Sequence, residues 1–317
     1  MSLTERATRK TLVLHIGLQK TGTSSIQVML AGSASYLDAQ GFYFPDLPDA
    51  EADESRLSRS PFRHNRIAGT YADYPTSFQR LDQENMALFW RELAADPRIP
   101  ILSAEDFSRQ RDYTALGMAL APFDVTVVLY VRRQDLFAES LYNQRNKILL
   151  QRGSTDHLGE DFLTSEDLFA FLRREAYIPI LNFTRLLARL EAGIRPVKVL
   201  VRAFDRATLE GADVCTDFCA LFGWDAQAMS RPGHDANSSV SNQVLASVNE
   251  VFVRQGPEAA QLKIAQINQS FQAGEDLSGS YKVFPPQIRR TVQRQYADIN
   301  AELHRRYGVD LTARNDQ

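Results

Sequence analysis

The amino-acid sequence predicts an α/β protein with a doubly wound, mainly parallel central sheet flanked by helices. Runs of β-branched and aliphatic residues predict four strands, at 11–16, 99–103, 124–131 and 197–202. Continuous apolar runs of this length are typical of strands that are buried on both faces of a parallel sheet. Apolar residues at helical spacing predict helices at 134–151, 240–254 and 285–306. Strands that alternate with helices favour the doubly wound arrangement.

The length of 317 residues suits one large α/β domain. We therefore predict a single domain over 1–317. Two stretches depart from the strand–helix pattern, 33–98 and 255–286, because Ser, Pro, Gly and aromatic residues are frequent there. Long insertions of this kind are usually functional loops or disordered. We predict that both are loop or helical insertions that shape a substrate site.

The composition disfavours several classes of protein. The net charge is −3, so no overall positive field draws the chain to nucleic acid or to an anionic membrane. The longest apolar run, 125–131, is far shorter than the roughly 20 residues that span a bilayer. The first residues contain Arg6, Arg9 and Lys10 instead of the apolar core of a signal peptide, which predicts a cytoplasmic protein. Cys215 and Cys219 are four residues apart, which predicts two buried thiols on one helical face and no disulfide.

The segment after the first predicted strand has the composition of an anion-binding site. Residues 17–25 join that strand to a predicted helix that begins near Ser24. The N–H groups of such a loop converge on an anion, and the helix dipole adds about half a positive charge. Lys20 adds a full charge, and the hydroxyl groups are further donors. The candidate binding residues are Gly17, Lys20, Thr21, Gly22, Thr23, Ser24 and Ser25.

The spacing of Gly17 and Gly22 matches the phosphate loop of nucleoside triphosphatases, G-x-x-x-x-G-K-[ST]. Position 23 is Thr in this sequence, and the lysine stands three residues earlier, as Lys20. A loop without the usual lysine would hold β- and γ-phosphates with Mg²⁺ poorly. This departure disfavours a P-loop small-molecule kinase, which is the second interpretation of the loop.

The early lysine followed by Thr-Gly-Thr-Ser-Ser resembles the 5′-phosphosulfate loop of the sulfotransferase superfamily, particularly of its bacterial members. These enzymes use 3′-phosphoadenosine 5′-phosphosulfate (PAPS) as cosubstrate. The resemblance implies a P-loop-type sulfotransferase fold, a loop that holds a 5′-phosphate rather than a triphosphate, and no metal. Less specific similarity extends over most of 11–308. The alternative is a helix cap without a ligand.

Arg132 leaves the third predicted strand, and Ser140 follows eight residues later. In the family that the loop resembles, an arginine and a serine at this spacing bind the 3′-phosphate of the cofactor. The end of a parallel strand is also where open α/β sheets bind ligands, and a guanidinium group suits bidentate contact with phosphate. The alternative for Arg132 is a surface charge at a strand end. Arg133 is the weaker candidate, because adjacent side chains diverge after a strand.

Sulfuryl transfer needs a cation beside the leaving phosphate and a base for the acceptor's proton. Lys20 is placed for the first task. Glu105 follows the second predicted strand and therefore emerges at the same sheet edge, and Ser-x-Glu at this place resembles the glutamate type of the family. His64, in the first insertion, is the other candidate base. The alternatives are a carboxylate favoured by a helix N-terminus for Glu105 and a solvent-exposed loop residue for His64.

The resemblance implies an acceptor with a hydroxyl or amine group, either a small molecule or a glycan, with carbohydrates among the candidates. A non-catalytic adenine-nucleotide-binding module is the third interpretation of the sequence. A loop at 278–282 is a candidate for closing the cofactor site, with a plain turn as the alternative. Several aromatic residues of the first insertion are candidates either for stacking on an acceptor or for loop packing: Tyr36, Phe42, Tyr43, Phe44, Phe62, Tyr71, Tyr74 and Phe78.

Overall fold

The computed structural model describes residues 9–49, 59–73, 79–175, 177–231 and 240–312. Contacts between Cα atoms divide the chain into two compact units. The first unit comprises Met1–Arg132, Phe183–Pro232 and Ala301–Leu311. The second comprises Arg133–Asn182, Gly233–Asn300 and Thr312–Gln317. The single domain expected over 1–317 stays a prediction.

A fully parallel sheet of five strands forms the centre of the first unit. The strands are β1 (Lys10–Ile16), β2 (Phe42–Tyr43), β3 (Ile99–Ala104), β4 (Phe123–Val131) and β5 (Lys198–Ala203). They lie in the order β2-β3-β1-β4-β5. The predicted α/β class with a mainly parallel sheet is confirmed, and the four predicted strands agree with β1, β3, β4 and β5 to within one residue at each end. No pattern predicts β2, since two residues are too few to show one.

The central strands are buried on both faces, as their continuous apolar runs predict. In β1, Leu12, Val13 and Leu14 are at most 1% exposed. Successive side chains of a strand point to opposite faces, so both faces of the sheet are covered at this strand. On one face Val13 belongs to a cluster with residues of α1 (Thr23–Gly32) and α9 (Val214–Ala220). The thiols predicted to be buried, Cys215 and Cys219, lie in this cluster and are free.

The described parts of the first predicted insertion, 33–98, are folded rather than a long loop. They contain β2 and three helices, α2 (Ala34–Ala39), α3 (His64–Thr70) and α4 (Gln83–Ala95). Asp82 caps α4 by accepting from the Asn85 N–H group at 2.8 Å, and the buried Arg66 pairs with Asp49 at 2.7 Å. Frequent polar residues hide these short elements in the sequence. Two of the aromatic candidates, Tyr74 and Phe78, lie outside the described residues.

Two more helices of the first unit, α5 (Thr114–Leu120) and α8 (Phe183–Ile194), pack against each other. The second unit contains α6 (Gln134–Gln151), α7 (Ser165–Arg174), α10 (Asn242–Gln255), α11 (Pro257–Gln272) and α12 (Pro286–Gln295). The last helix, α13, is Ala297–Tyr307. None of the described helices is both long and apolar enough to cross a membrane.

One sequence expectation for the C-terminal part is corrected, and another is made more specific. The single helix predicted at 285–306 is two helices, because the backbone at Tyr296 leaves the helical region with φ −104° and ψ 9°. The insertion predicted over 255–286 is partly helical, since it contains α11. Gly256 and Pro257 suggest a loop, but Gly256 is the cap residue of α11 and Pro257 occupies its first turn. Proline is tolerated there, since the N–H group it lacks would have no partner within the helix.

Candidate active site

Three connections of the first unit begin at one edge of the sheet. β1 lies between β3 and β4, so the strands that follow β1 in the chain are added on both sides of it. The edge of the sheet at β1 is therefore the topological switch point, where open α/β sheets bind ligands. Lys20 follows β1, Glu105 follows β3 and Arg132 follows β4. Because the strands are parallel, these three predicted residues come from the carboxyl ends of adjacent strands.

The loop after β1 is closely packed at its two glycines. The Gly17 N–H group donates to the Ala104 carbonyl oxygen at 2.9 Å, which ties the start of the loop to the end of β3. A Cβ atom on Gly17 would lie 2.4 Å from Cγ2 of Thr23. Gly22 has a φ of +78°, and a Cβ atom there would lie 2.7 Å from Cγ1 of Val214. Glycine is therefore required at both positions.

The backbone of this loop is left-handed at two residues, Lys20 and Gly22. Lys20 has a φ of 61°, a left-handed conformation that is uncommon for a residue with a side chain. Left-handed residues of this kind occur in the concave groups of N–H donors that bind anions. Gly22 is the cap residue of α1, and no side chain of the described structure caps this helix N-terminus. Its first N–H groups and the positive end of the dipole are available to an anion.

The four hydroxyl groups of the loop fall into two pairs. Thr21 and Thr23 are buried and donate to the Leu18 carbonyl oxygen at 2.8 and 3.0 Å. These two hydroxyls brace the loop, so their contact with an anion stays a prediction. Ser24 and Ser25 are half-buried in the first turn of α1, where a hydroxyl group can still reach a ligand.

Glu105 lies directly after β3 as the cap residue of a short 3₁₀ helix, Asp106–Arg109. The pKa of its carboxyl group is raised to about 7: burial is the largest cause, the nearby Asp106 carboxylate adds to the rise, and the positive charges of Lys20 and Arg109 oppose it. A carboxyl group with a pKa close to neutral suits a general base that must be deprotonated and still attract a proton. The positive charge of Lys20 is near enough to lower the pKa of Glu105.

Arg132 lies beside the loop. Its Nη1 donates to the Lys20 carbonyl oxygen at 3.4 Å, and its guanidinium group lies 5.7 Å from the centre of the Phe204 ring. Phe204 follows β5 at the same sheet edge, and its N–H group donates to the Val131 carbonyl oxygen at 2.7 Å. Sequence reasoning missed Phe204, although an aromatic residue that directly follows a strand of the sheet is a signal for it.

His64 lies in a different environment from the one expected. It begins α3 instead of standing in a loop, and it is 0% exposed. Its Nε2 pairs with the Pro45 carbonyl oxygen at 2.8 Å, and its Nδ1 accepts from the Ser103 N–H group at 3.1 Å. Burial lowers its pKa well below the usual range, and the charge of Arg63 adds to this. Since both ring nitrogens have backbone partners, Glu105 is the better placed of the two candidate bases.

Ser140 belongs to the second unit, where it lies in α6 with 8% of its surface exposed. Its contact with a 3′-phosphate stays a prediction. Arg133 is also in this unit and is bound to Asp135, with the Nε–Oδ1 distance at 2.7 Å. Asp135 pairs in addition with Arg289 at 2.6 Å. This buried network occupies Arg133, in agreement with its rank as the weaker phosphate ligand.

The candidate closing loop, 278–282, is held against the start of α10. Ser278 forms a β-bridge with Val240. The Ser280 carbonyl oxygen accepts from the Asn242 N–H group at 3.0 Å, and Nδ2 of Asn242 donates to the Lys282 carbonyl oxygen at 2.6 Å. Its role in closing a cofactor site stays a prediction. Over the described ranges, no group of three or more His, Cys, Asp or Glu side chains could hold a metal ion.

Comparison with known proteins finds a distant structural likeness. No family model and no curated protein matches the chain. Among solved structures, the chain is similar to a sulfotransferase from Alicyclobacillus acidocaldarius, with 17% sequence identity and a TM-score of 0.38. The match covers 84% of this chain and 97% of that one. A likeness this distant transfers no activity, so a function has to be inferred from the residues at the sheet edge.

Proposed function

We propose that the chain transfers a sulfuryl group from PAPS to a hydroxyl or amine group of an acceptor. The observation that carries the proposal is the set of three side chains, Lys20, Glu105 and Arg132, at adjacent strand ends around a loop whose lysine precedes its second glycine. A loop with an early lysine suits a single phosphate that bears a sulfuryl group. The N–H groups of the left-handed loop backbone and of the uncapped start of α1 are further donors for that phosphate.

Each residue then has a defined task. The 17–25 loop and the N-terminus of α1 hold the 5′-phosphate, with Lys20 beside the oxygen that bridges phosphorus and sulfur. Arg132 binds the 3′-phosphate through its guanidinium group, and Ser140 adds a hydroxyl donor. Glu105 accepts the proton of the acceptor. The 17–25 loop, the cations of Lys20 and Arg132, and the absence of side chains at Gly17 and Gly22 fit an anionic nucleotide.

The reaction is an in-line displacement at sulfur. The acceptor's oxygen or nitrogen forms a bond to sulfur while the bond from sulfur to the phosphate oxygen breaks. Glu105 takes the proton that the acceptor loses, and Lys20 offsets the negative charge that develops on the leaving phosphate. The products are the sulfated acceptor and adenosine 3′,5′-bisphosphate. As in phosphoryl transfer, positioning and charge stabilisation supply most of the catalysis.

Calorimetry tests the nucleotide site. Adenosine 3′,5′-bisphosphate should bind, and ATP with Mg²⁺ should bind much more weakly. Arg132→Ala should weaken binding of the bisphosphate by about 2–4 kcal/mol, because it removes a charge-assisted contact. Arg152→Ala, at an exposed position after α6, is the matched control and should leave the affinity unchanged. Equal affinity in the Arg132 variant and the parent would remove Arg132 from the site, and preference for ATP with Mg²⁺ would favour a kinase.

Transfer of labelled sulfate from PAPS to a panel of hydroxyl and amine acceptors tests the activity itself. Binding of the bisphosphate without transfer to any acceptor would leave only a nucleotide-binding module.

A further inference from the structure

The backbone on both sides of Glu105 is held by two consecutive side chains of α3. The Ser103 N–H group donates to Nδ1 of His64 at 3.1 Å. The Asp106 N–H group donates to Oδ1 of Asn65 at 3.3 Å. His64 and Asn65 are 0% and 4% exposed, so water does not compete for either contact. The first turn of α3 therefore grips the chain two residues before Glu105 and one residue after it.

The other polar groups of Ser103 are engaged as well. Its carbonyl oxygen accepts from Nε2 of Gln27 at 2.9 Å, and its Oγ lies 2.7 Å from Nδ1 of His15. Gln27 belongs to α1, the helix that begins within the 17–25 segment, and His15 belongs to β1. The end of β3 is thus fixed to α1, β1 and α3 together. A buried glutamine among the apolar residues of α1 is the sequence signal for this contact.

His64 can make its contact with Ser103 only as one neutral tautomer. Its Nε2 faces the Pro45 carbonyl oxygen at 2.8 Å and must donate, which leaves Nδ1 as the acceptor. Burial and the charge of Arg63 lower its pKa, so the ring stays neutral near pH 7. Arg63 also holds the Pro45 carbonyl oxygen, to which its Nε donates at 2.7 Å. His64 is therefore a fixed link between the segment at Pro45 and the end of β3.

We propose that His64 and Asn65 are positioning residues that hold the Glu105 carboxyl group in place beside the 17–25 loop. His64 then contributes to the reaction through Glu105 and transfers no proton itself. The inference rests on the proposed function insofar as Glu105 is the base. Displacement of a catalytic group by about 1 Å can cost about 100-fold in rate. Loss of the hydrogen bonds that hold the Ser103 and Asp106 N–H groups should therefore lower the rate strongly.

Two substitutions at one position separate this role from simple packing. Asn places its amide oxygen near the site of Nδ1, so His64→Asn keeps the acceptor for Ser103. Gln reaches to the site of Nε2, so His64→Gln keeps the donor for Pro45 and loses that acceptor. We expect His64→Gln to lower the turnover number about 10- to 100-fold, and His64→Asn to lower it much less. Affinity for adenosine 3′,5′-bisphosphate should be the same in both variants.

A titration that requires no turnover gives the second readout. The carboxyl group of Glu105 can be followed by ¹³C NMR in the protein without nucleotide. We expect a midpoint of about 7 in the parent chain. It should fall toward the ordinary value of 4.5 in His64→Gln, because a released carboxyl group gains water. The charged groups that face Glu105 are Asp106, Lys20 and Arg109, and none of them is altered.

Asn65→Ala, which removes the acceptor for the Asp106 N–H group, serves as an independent variant and should shift the midpoint in the same direction. Circular dichroism and thermal unfolding select the variants that fold. The inference is overturned if the folded variants keep the parent's midpoint and His64→Gln and His64→Asn lose turnover equally. If the parent transfers no sulfuryl group but the midpoint still falls, the proposed function fails and the positioning of Glu105 stands.

Discussion

At the scale of single residues, the environment of Glu105 decides what this carboxyl group can do. Its sequence position suggests two roles, a base or a carboxylate at a helix N-terminus. The structure adds burial, a second carboxylate at Asp106 and the cation of Lys20, which together place its pKa at about 7. Paired groups of this kind, one with a raised pKa and one cation nearby, are typical of catalytic sites.

The pH dependence of turnover follows from this pKa. A base must be ionised, so kcat/KM for sulfuryl transfer should rise with pH up to about 7 and then level off. Glu105→Gln should lower the rate by about 100- to 10,000-fold and abolish this rise. Lys20→Ala should also lower the rate strongly, but it should leave the rise in place at a higher pH, since its charge favours the ionised carboxyl group. Near-normal turnover of Glu105→Gln would exclude Glu105 as the base.

The burial and the hydrogen-bond partners of His64 could not be predicted from the sequence. A histidine among Phe, Arg and Asn has the composition of an exposed loop, and a lone histidine has no periodic pattern that reveals burial. Its two backbone partners, Ser103 and Pro45, are 39 and 19 residues away in sequence. Only the folded chain brings these groups to the two nitrogens of one ring.

At the scale of elements, the loop between β1 and α1 is the part that sequence predicts best. Gly17, Gly22 and the following hydroxyl residues form a local pattern, because strand, loop and helix N-terminus are contiguous in the chain. The structure adds that Thr21 and Thr23 brace the loop through Leu18. The short helices α2 and α3 were not predicted, since tertiary packing rather than intrinsic propensity stabilises helices of this length. The longer α11 was not predicted either, because Gly256 and Pro257 at its start suggest a loop.

A pair of glycine substitutions tests the loop as an element. Gly22→Ala should cost more than 2 kcal/mol of stability, since it combines a left-handed backbone with the approach of Val214 to 2.7 Å. It should also weaken binding of adenosine 3′,5′-bisphosphate.

Gly41→Ala is the matched control for this change. Gly41 has a similar φ of +75° but nothing within 4 Å of a Cβ atom, so only the backbone term of about 1–2 kcal/mol applies. Urea unfolding gives both values. Equal losses of stability would show that the loop tolerates a side chain at position 22.

At the scale of the whole molecule, the site and the stability of the fold compete. A buried carboxyl group holds its proton more tightly in the folded chain than in the unfolded one. Stability therefore falls as the pH rises from the unfolded pKa of 4.5 to the folded pKa of about 7. Above that range the ionised group lowers the free energy of unfolding by up to about 3 kcal/mol, at 1.36 kcal/mol per pKa unit.

Glu105→Gln should thus make the folded chain more stable at pH 8, by up to about 3 kcal/mol, and should change little at pH 4. Glu160→Gln, at an exposed turn, should change stability little at either pH. Denaturant unfolding at the two pH values measures both variants. A gain that is the same at pH 4 and pH 8 would have another cause than ionisation of this carboxyl group.

The sequence by itself determines the α/β class, four of the five strands and the place of the loop between β1 and α1, because each is a local pattern of apolar runs, glycines and hydroxyl residues. The tertiary structure decides which distant side chains meet. It brings Lys20 and Asp106 near enough to Glu105 to influence its pKa, gives the two ring nitrogens of His64 partners at Pro45 and Ser103, and brings Phe204 under Arg132. The reason is physical: the order β2-β3-β1-β4-β5 brings strand ends together that are far apart in the chain, and the burial that shifts a pKa exists only after the chain has packed.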